Sequence, residues 1–439
     1  MSKSEYNLSR ILNKLGIEKL NPMQKKAVKT ISKEPEVVLL SPTGTGKTLA
    51  FLLPIITELR HDCDEVQAII IAPSRELAIQ IEKVARDMAT GHKTNVVYGG
   101  RLFSKDKVDL KHRPAILVGT PGRIADHLRR DTFTVYDVHS LVLDEFDKSL
   151  EVGFEAEMSE IISLLPAITK RILTSATQEI EIPGFVRLRK PTILNYLNEE
   201  NNQLAVKIIS SPKKDKLETL VDSVRYLGNQ PGIIFCNFKE SINRISEFLT
   251  ENGINHGCFY GGMEQKERER ALIKFRNGTY QILLATDLAA RGIDVPEIKF
   301  ILHYHLPVRS QEFIHRNGRT ARMNSEGTAY VLIWEEEKLP EFIENLYPEA
   351  IDISGDKVIE KTTKWTTIFI SGGRKDKISK GDIAGLFFKQ GKLKPNQLGA
   401  IELKSDCAFV SVPASKAKQV IQKLNNTKLK KKKVRVTEV

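Results

Sequence analysis

Short apolar runs rich in Val, Ile and Leu recur along the chain, each leading into a polar or glycine-bearing loop and then into residues of helical periodicity. In the first half the runs are EVVLL (36–40), AIIIA (68–72), AILVG (115–119), LVLD (141–144) and RILTS (171–175). In the second half they are GIIFC (232–236), QILLAT (281–286), FILHYHL (300–306) and TAYVLIW (328–334). A strand apolar on both faces must be covered on both, and helices that alternate with strands do this over a parallel sheet. The pattern predicts two tandem α/β units, residues 1–197 and 198–351, joined around NEENNQ (198–203). At 439 residues the chain has room for two or three domains.

A polar stretch near 352–364 leads to a third segment with a different rhythm. TTIFISGG reads as a strand, Ser379 and Asp382 form a capping-box start ahead of IAGLFF, and LGAIELK and CAFVSV read as two more strands. The helix-period SKAKQVIQKL follows and KKVRVTEV closes. This βαββαβ order over 362–439 is the small α+β arrangement used by RNA-recognition modules. The net charge of +12 belongs to this segment: residues 362–439 hold 18 Lys and Arg against 5 Asp and Glu, leaving 49 basic and 50 acidic residues for the rest. A polyanion partner engaged by the third segment is expected.

Hydrophobic content of 41% and charged content of 28% are those of a soluble globular protein. The start, MSKSEYNLSR, has no apolar run of signal-peptide length, and no later run approaches a membrane span. Cys63, Cys236, Cys258 and Cys407 are scattered without paired spacing, which argues for a reducing compartment and against a structural metal. A cytoplasmic protein without a membrane partner is the expectation.

The chemistry gathers at strand ends. SPTGTGKT (41–48) follows the first run; backbone N–H groups of such a turn wrap phosphate oxygens, Lys47 reaches the β and γ phosphates, and the Thr48 hydroxyl holds Mg²⁺. The strict pattern has Gly where this chain has Ser41. LVLDEFDK (141–148) drives an apolar run into three carboxylates. Asp144 suits the metal of a bound triphosphate at the end of a neighbouring strand, Glu145 suits the attacking water, and Asp147 is available to link this strand to another element. In HRNGRTAR (315–322), Arg319 and Arg322 share one helix face and could reach a phosphate held by another domain. Asp287, Arg291 and Asp294 follow another strand end in ATDLAARGIDVP (285–296). A solvated acidic turn and a solvated basic helix face are the bland readings, and the phosphate loop weighs against both.

In this order the motifs resemble those of the DEAD-box ATP-dependent RNA helicases over roughly residues 16–335. GIEKLNPMQ looks like the adenine-reading segment, with Gln24 as reader; SPTGTGKT and DEFD look like the two nucleotide motifs; SAT (175–177) looks like the element that couples hydrolysis to strand separation. The resemblance implies two RecA-like domains with ATP and Mg²⁺ as cofactors. Ser41, Thr43, Gly44, Thr45, Gly46, Lys47 and Thr48 would hold the nucleotide with Gln24, and Asp294 would bind the ribose. His315 would lie near the attacking water, and Arg319 and Arg322 would complete the site. Ser175 and Thr177 would contact Asp147, while Arg75, Gly100, Thr120, Arg123, Arg268 and Thr286 would grip RNA phosphates and sugars.

Phe146 stands where the family has Ala and is expected to pack; Ile17 and Leu20–Asn21 also depart from the pattern, as do Asn317 and Ala321. The third segment resembles the RNA-binding domain of DbpA-type DEAD-box proteins, which implies large-subunit ribosomal RNA and pre-ribosomal particles as partners. Cys407 and Val412 stand at two positions where stacking modules carry aromatics, and Phe409 remains, so Arg374, Lys375, Lys377, Lys380 and Lys430 to Lys433 are the candidate contacts. The expected activity is ATP-driven local unwinding of RNA duplexes; an ATP-gated RNA clamp that seldom unwinds is the alternative.

Overall fold

The computed structural model describes residues 3–177, 181–197, 204–290, 295, 298–320, 327–354 and 364–439. The chain divides into two compact units between residues 202 and 203. The predicted joint at 198–203 and the start of the third segment at 362–363 lie outside the described residues.

The first unit holds a seven-stranded parallel sheet. Its lateral order is Thr94–Val97, Ile116–Gly119, Ala68–Ile71, Ser140–Leu143, Lys170–Ser175, Glu36–Leu40, Thr192–Asn195. The central strands are buried end to end, as their unbroken apolar runs require. Separate apolar clusters form on the two faces: Val37, Leu39, Ile70 and Val142 pack toward helices Lys47–Glu58 and Arg75–Asp87, and Val38, Ile69, Ile71, Leu141 and Leu143 pack the other way. Phe146, 1% exposed, belongs to the second cluster, so the odd residue of DEFD is core.

The second unit repeats the plan, ordered His256–Phe259, Ile282–Ala285, Gly232–Phe235, Phe300–His303, Gly327–Trp334, Leu204–Ser211, Glu349–Ala350, all parallel. It also carries the third segment, an antiparallel sheet ordered Ile401–Leu403, Ala408–Pro413, Trp365–Ile370, Val436–Glu438, with helices Lys380–Lys389 and Ala414–Leu424 on one face. The fold is thus two RecA-like parallel-sheet domains followed by a small antiparallel α+β domain. The Ser379–Asp382 capping box forms as expected. KKVRVTEV does not make one strand: Lys432–Lys433 closes a hairpin with Lys428–Leu429, and Val436–Glu438 then joins the sheet edge. Among the described residues no helix is long and apolar enough to cross a membrane.

Candidate active site

The phosphate-binding turn leaves the end of Glu36–Leu40, and Lys47 opens the next helix. Gly46 caps that helix in the left-handed region at φ 85°, and a Cβ there would meet the Gln24 side chain at 2.3 Å, so glycine is required on two grounds. The Lys47 ammonium donates to the Ser41 and Pro42 carbonyls, which folds the loop around it. Ser41 Oγ and Thr45 Oγ1 lie 2.8 Å apart, and Thr45 Oγ1 donates to the Pro42 carbonyl at 2.9 Å. Ser41 therefore replaces the glycine of the strict pattern with a hydroxyl that braces the turn. Thr43, Gly44 and Thr48 complete the loop, with Gly44 exposed at its crest at φ 82°.

Residues 21–24 clasp this loop from outside. Asn21 caps helix Pro22–Ile31 in a reciprocal capping box with Gln24, and its amide donates to the Thr45 carbonyl at 3.0 Å. Asn21 thus caps its own helix and braces the phosphate turn from one position. Gln24 Nε2 donates to the Gly46 carbonyl at 3.3 Å, so the predicted adenine reader also supports the phosphate turn. Ile17 packs against the apolar cluster.

Asp144 and Glu145 sit just past the end of Ser140–Leu143. That strand is not beside the phosphate-loop strand: Lys170–Ser175 lies between them, which corrects the expected direct adjacency. The inserted strand brings Thr174, which the sequence reading missed. Thr174 Oγ1 donates to Asp144 at 2.5 Å and accepts the Glu145 N–H at 3.2 Å. Nothing in RILTS separates Thr174 from an ordinary buried strand residue; the register, with Leu143 opposite Leu173, supplies the signal. Glu145 adopts φ 46° and ψ 53°, a conformation that non-glycine residues hold mostly under constraint and often at functional sites.

Asp144 is 2% exposed, and burial together with the Glu145 charge pushes its pKa up to about 6. Thr174 and Lys47 pull the other way, which places Lys47 within electrostatic reach of the carboxylate. Two crowded, buried carboxylates beside a phosphate turn fit a divalent cation, which would relieve their repulsion. Because the folded pKa lies above the ordinary carboxylate value, the ionised form costs stability above pH 6, and the cost is relieved as pH falls from about 6 toward 4. Asp144→Asn should therefore stabilise the nucleotide-free protein at pH 7.5 by up to about 3 kcal/mol, with the gain vanishing near pH 4. Thermal melts of both proteins across that range check it; a gain independent of pH would exclude Asp144 as its source.

Thr177 Oγ1 donates to Asp147 at 3.2 Å, and Ser175 Oγ donates to the Thr177 carbonyl at 2.8 Å while accepting the Thr177 N–H at 2.9 Å. Thr177 thus makes its expected contact with Asp147, while the hydrogen bonds of Ser175 Oγ go to Thr177. The Ser41 N–H donates to the Ser175 carbonyl, tying this element to the phosphate loop. Elsewhere in this unit Arg75 lies against Gly99 and Gly100; a Cβ on Gly100 would come 2.7 Å from its guanidinium. Thr120 precedes helix Pro121–Arg129. Arg123 is turned inward: its Nε donates to the Tyr98 carbonyl at 3.1 Å, its Nη2 to the Arg101 carbonyl, and Asp106 lies 3.6 Å away. It holds the loop that carries the paired glycines.

In the second unit, Arg268 lies on helix Gln265–Arg276 with its guanidinium 4.6 Å from the Phe259 ring centre, and Thr286 follows strand Ile282–Ala285. His315 and Arg316 lie in the last turn of helix Ser310–Asn317, and Arg319, expected on a helix face, stands past its end with its Nε donating to the His315 carbonyl at 3.4 Å. Asp294 and Arg322 lie outside the described residues. Arg316 is 1% exposed and forms a fork with Asp287 at 2.7 and 2.6 Å, reaching also the Asn237 side chain and the His305 carbonyl at 2.8 Å. Its partner network includes His303, which burial and the Arg316 charge push down to about 3, and Asn317, which meets His303 at 3.0 Å. The run read as a basic face thus has a structural arginine near its start.

In the third domain Arg374, Lys375, Lys377 and Lys380 are exposed around the turn before helix Lys380–Lys389. Val412 points into the core with Val410, so the outer sheet face carries Cys407, Phe409 and Ser411 instead. A second aromatic does stand there: Phe369, opposite Phe409 on the adjacent strand, with ring centres 5.7 Å apart in an edge-to-face pair.

A phosphate turn, paired carboxylates and a threonine tied to Asp144 on one parallel sheet define a nucleoside-triphosphatase lobe, and the second unit carries Arg316 and Arg319. Family models agree segment by segment: DEAD/DEAH box helicase over residues 21–183, helicase conserved C-terminal domain over 213–324, and DbpA RNA binding domain over 367–438. The chain is 30% identical to the ATP-dependent RNA helicase DbpA of Bacillus subtilis, across 99% of this chain and 97% of that protein. It is 28% identical to DbpA of Escherichia coli, across 97% and 95%. Mss116p bound to single-stranded RNA and AMP-PNP matches with a TM-score of 0.69 and 26% identity, over 80% of this chain and 78% of that one. The chain belongs to the DEAD-box ATP-dependent RNA helicases, in their DbpA type. It is an RNA-binding ATPase and helicase.

Proposed function

We propose that this helicase acts in the cytoplasm on large-subunit ribosomal RNA during ribosome assembly, with residues 1–197, 198–351 and 362–439 as its working parts. The reading is carried by one observation: the segment that holds a local charge of +13 is also the one that matches the DbpA RNA binding domain. A basic module attached to a core that grips backbone rather than bases supplies the target choice that the core lacks.

In the proposed cycle Gln24 reads adenine, Asp294 binds the ribose, and Lys47 and the loop N–H groups from Ser41 to Thr48 bind the phosphates. Thr48 and Asp144 would hold Mg²⁺, which would supply positive charge to offset that of the phosphates. Glu145 orients the attacking water, and His315, Arg319 and Arg322 complete the charge stabilisation from the second domain. Arg75, Gly100, Thr120, Arg268 and Thr286 contact the RNA strand, and Arg123 shapes the loop beside them. ATP and RNA together favour closure of the two RecA-like domains, which bends a strand so that a few base pairs open. Hydrolysis removes the γ-phosphate partner of Arg319 and Arg322 and releases the clamp.

A chain ending near residue 361 should keep RNA-stimulated ATP hydrolysis but lose preference for a hairpin of large-subunit ribosomal RNA over random RNA. Activation curves with both RNAs test this, and equal activation of the full chain by both would refute the targeting role. A chain that turns over ATP without releasing duplex would favour the clamp reading.

A further inference from the structure

Asn317 is one of the positions at which the chain departs from the family pattern, and it is buried at 5% exposure. Its side chain meets His303, the last residue of strand Phe300–His303, whose ring is fully buried and stacks on those of Phe235 and Phe313. Asn317 Oδ1 lies 3.0 Å from His303 Nε2, and Arg316 Nη1 approaches His303 Nδ1 at 3.4 Å. A guanidinium has donors only, so the Nδ1 that faces it carries a lone pair. Burial and the Arg316 charge keep this imidazole neutral, which leaves its one proton on Nε2. Nε2 is then the donor, and Asn317 must present its oxygen. Arg316, fixed by Asp287, thus dictates the tautomer of His303, and that tautomer dictates the orientation of the Asn317 amide.

As packing alone the arrangement is unfavourable. Asn317 Nδ2 is buried with no hydrogen-bond partner among the described residues, a penalty that an apolar side chain would avoid. What the pair holds is the turn that follows the helix. The Gly318 N–H donates to the Ile314 carbonyl at 2.9 Å, that of Arg319 to Arg316 at 3.1 Å, and that of Thr320 to Asn317 at 2.9 Å. Past Arg319, Thr320 Oγ1 donates to the Ile298 carbonyl at 2.7 Å, and these two residues form an isolated β-bridge. Arg319, itself buried, therefore stands between two residues that are pinned to one stretch of chain, 298–303. An apolar contact at 317 would hold the helix against the strand but let it roll. A hydrogen bond to a ring of fixed tautomer does not.

We infer that His303 and Asn317 are positioning residues for Arg319: the hydrogen bond between them sets the direction in which residues 318–320 leave the helix, and with it the aim of the Arg319 guanidinium. The inference rests on the reading of Arg319 as a γ-phosphate partner in the proposed cycle. Ring and amide act through Arg319 and not on the nucleotide itself. Their effect is one of alignment, and alignment counts most in the transition state, where the charge of the transferred phosphoryl group is redistributed. The loss on breaking the pair therefore falls on the maximal rate rather than on substrate affinity.

The test measures ATP turnover by the full-length protein with saturating single-stranded RNA, recording kcat, the KM for ATP and the half-saturating RNA concentration. Asn317→Leu keeps roughly the side-chain volume and removes the acceptor. It should lower kcat about tenfold while the other two values stay within about threefold of wild type. Asn317→Ser, polar but too short to reach the ring, should lose as much and serves if the leucine variant does not fold. His303→Gln offers an amide N–H in place of the ring N–H and should keep kcat within about threefold. On an Arg319→Ala background, Asn317→Leu and Asn317→Ser should cost less than about twofold more, because the group they aim is already gone. Unchanged kcat in the Asn317 variants, a tenfold loss in His303→Gln, or a further tenfold loss without the Arg319 side chain would each overturn the inference. The single variant Arg319→Ala reports separately on the reading beneath it: wild-type turnover there would remove Arg319 from the site, and this inference with it.

Discussion

Glu145→Gln is expected to lower RNA-stimulated ATP turnover by roughly 10²–10⁴-fold, the usual range for removing a positioned general base. Glutamine keeps the shape and loses the charge, so the left-handed turn and its hydrogen bond to Thr174 should survive. Lys47→Ala should reach the same floor by another route, because the ammonium that now holds the Ser41 and Pro42 carbonyls is the group placed to reach a phosphate. The two can be separated by binding: Glu145→Gln should retain ATP affinity and Lys47→Ala should lose it. Phosphate release at saturating RNA, with nucleotide titrations alongside, measures both. Turnover within tenfold of wild type in both variants would remove the assigned site.

Arg316→Ala is expected to destabilise the second RecA-like domain by about 3–5 kcal/mol, as when one partner of a buried ion pair is deleted. The guanidinium satisfies Asp287, Asn237 and the His305 carbonyl at once and lies 5.2 Å from the Phe235 ring centre. Lysine offers one point charge in place of that planar fork, so Arg316→Lys should recover only a small part of the loss. Urea unfolding of the full chain measures it; a cost below 1 kcal/mol in both variants would show the network to be dispensable. Arg319, one turn along the chain, serves as the contrast, since its proposed role is on phosphate.

Arg316 and Arg319 come from the same run of sequence, and the difference between them was not visible there. HRNGRTAR presents three arginines at equal spacing, with nothing to distinguish a structural one from a catalytic one. The partners of Arg316 decide: it is held by Asp287 and Asn237, which lie 29 and 79 positions away. Thr174 was hidden for the same reason: its tie to Asp144 exists because Lys170–Ser175 enters the sheet beside Ser140–Leu143. By contrast, the phosphate turn and the carboxylates could be read directly, because their chemistry is carried by residues a few positions apart on one turn.

The strands divide in a similar way. Every run predicted for the two parallel sheets occupies an interior position, from Glu36–Leu40 to Gly327–Trp334. The strands that gave no clear signal include all four sheet edges: Thr94–Val97, Thr192–Asn195, His256–Phe259 and Glu349–Ala350. An edge strand is half exposed and tolerates polar residues, so it leaves no continuous apolar run to detect. Leu204–Ser211, next to one edge, is likewise only partly buried.

Local chemistry in the sequence thus determined the layered α/β plan, the nucleotide motifs, the capped helix of the third domain and the concentration of positive charge there. Periodicity reports which faces are apolar, and a short motif reports which functional groups share a turn. Tertiary structure alone decided which arginine pairs with Asp287, which threonine supports Asp144, and that Thr367 and Ser411 of the RNA module meet Thr279 and Asn277 of the second RecA-like domain. Those outcomes depend on strand order and on surfaces meeting between residues far apart in the chain, and no local pattern encodes such a meeting.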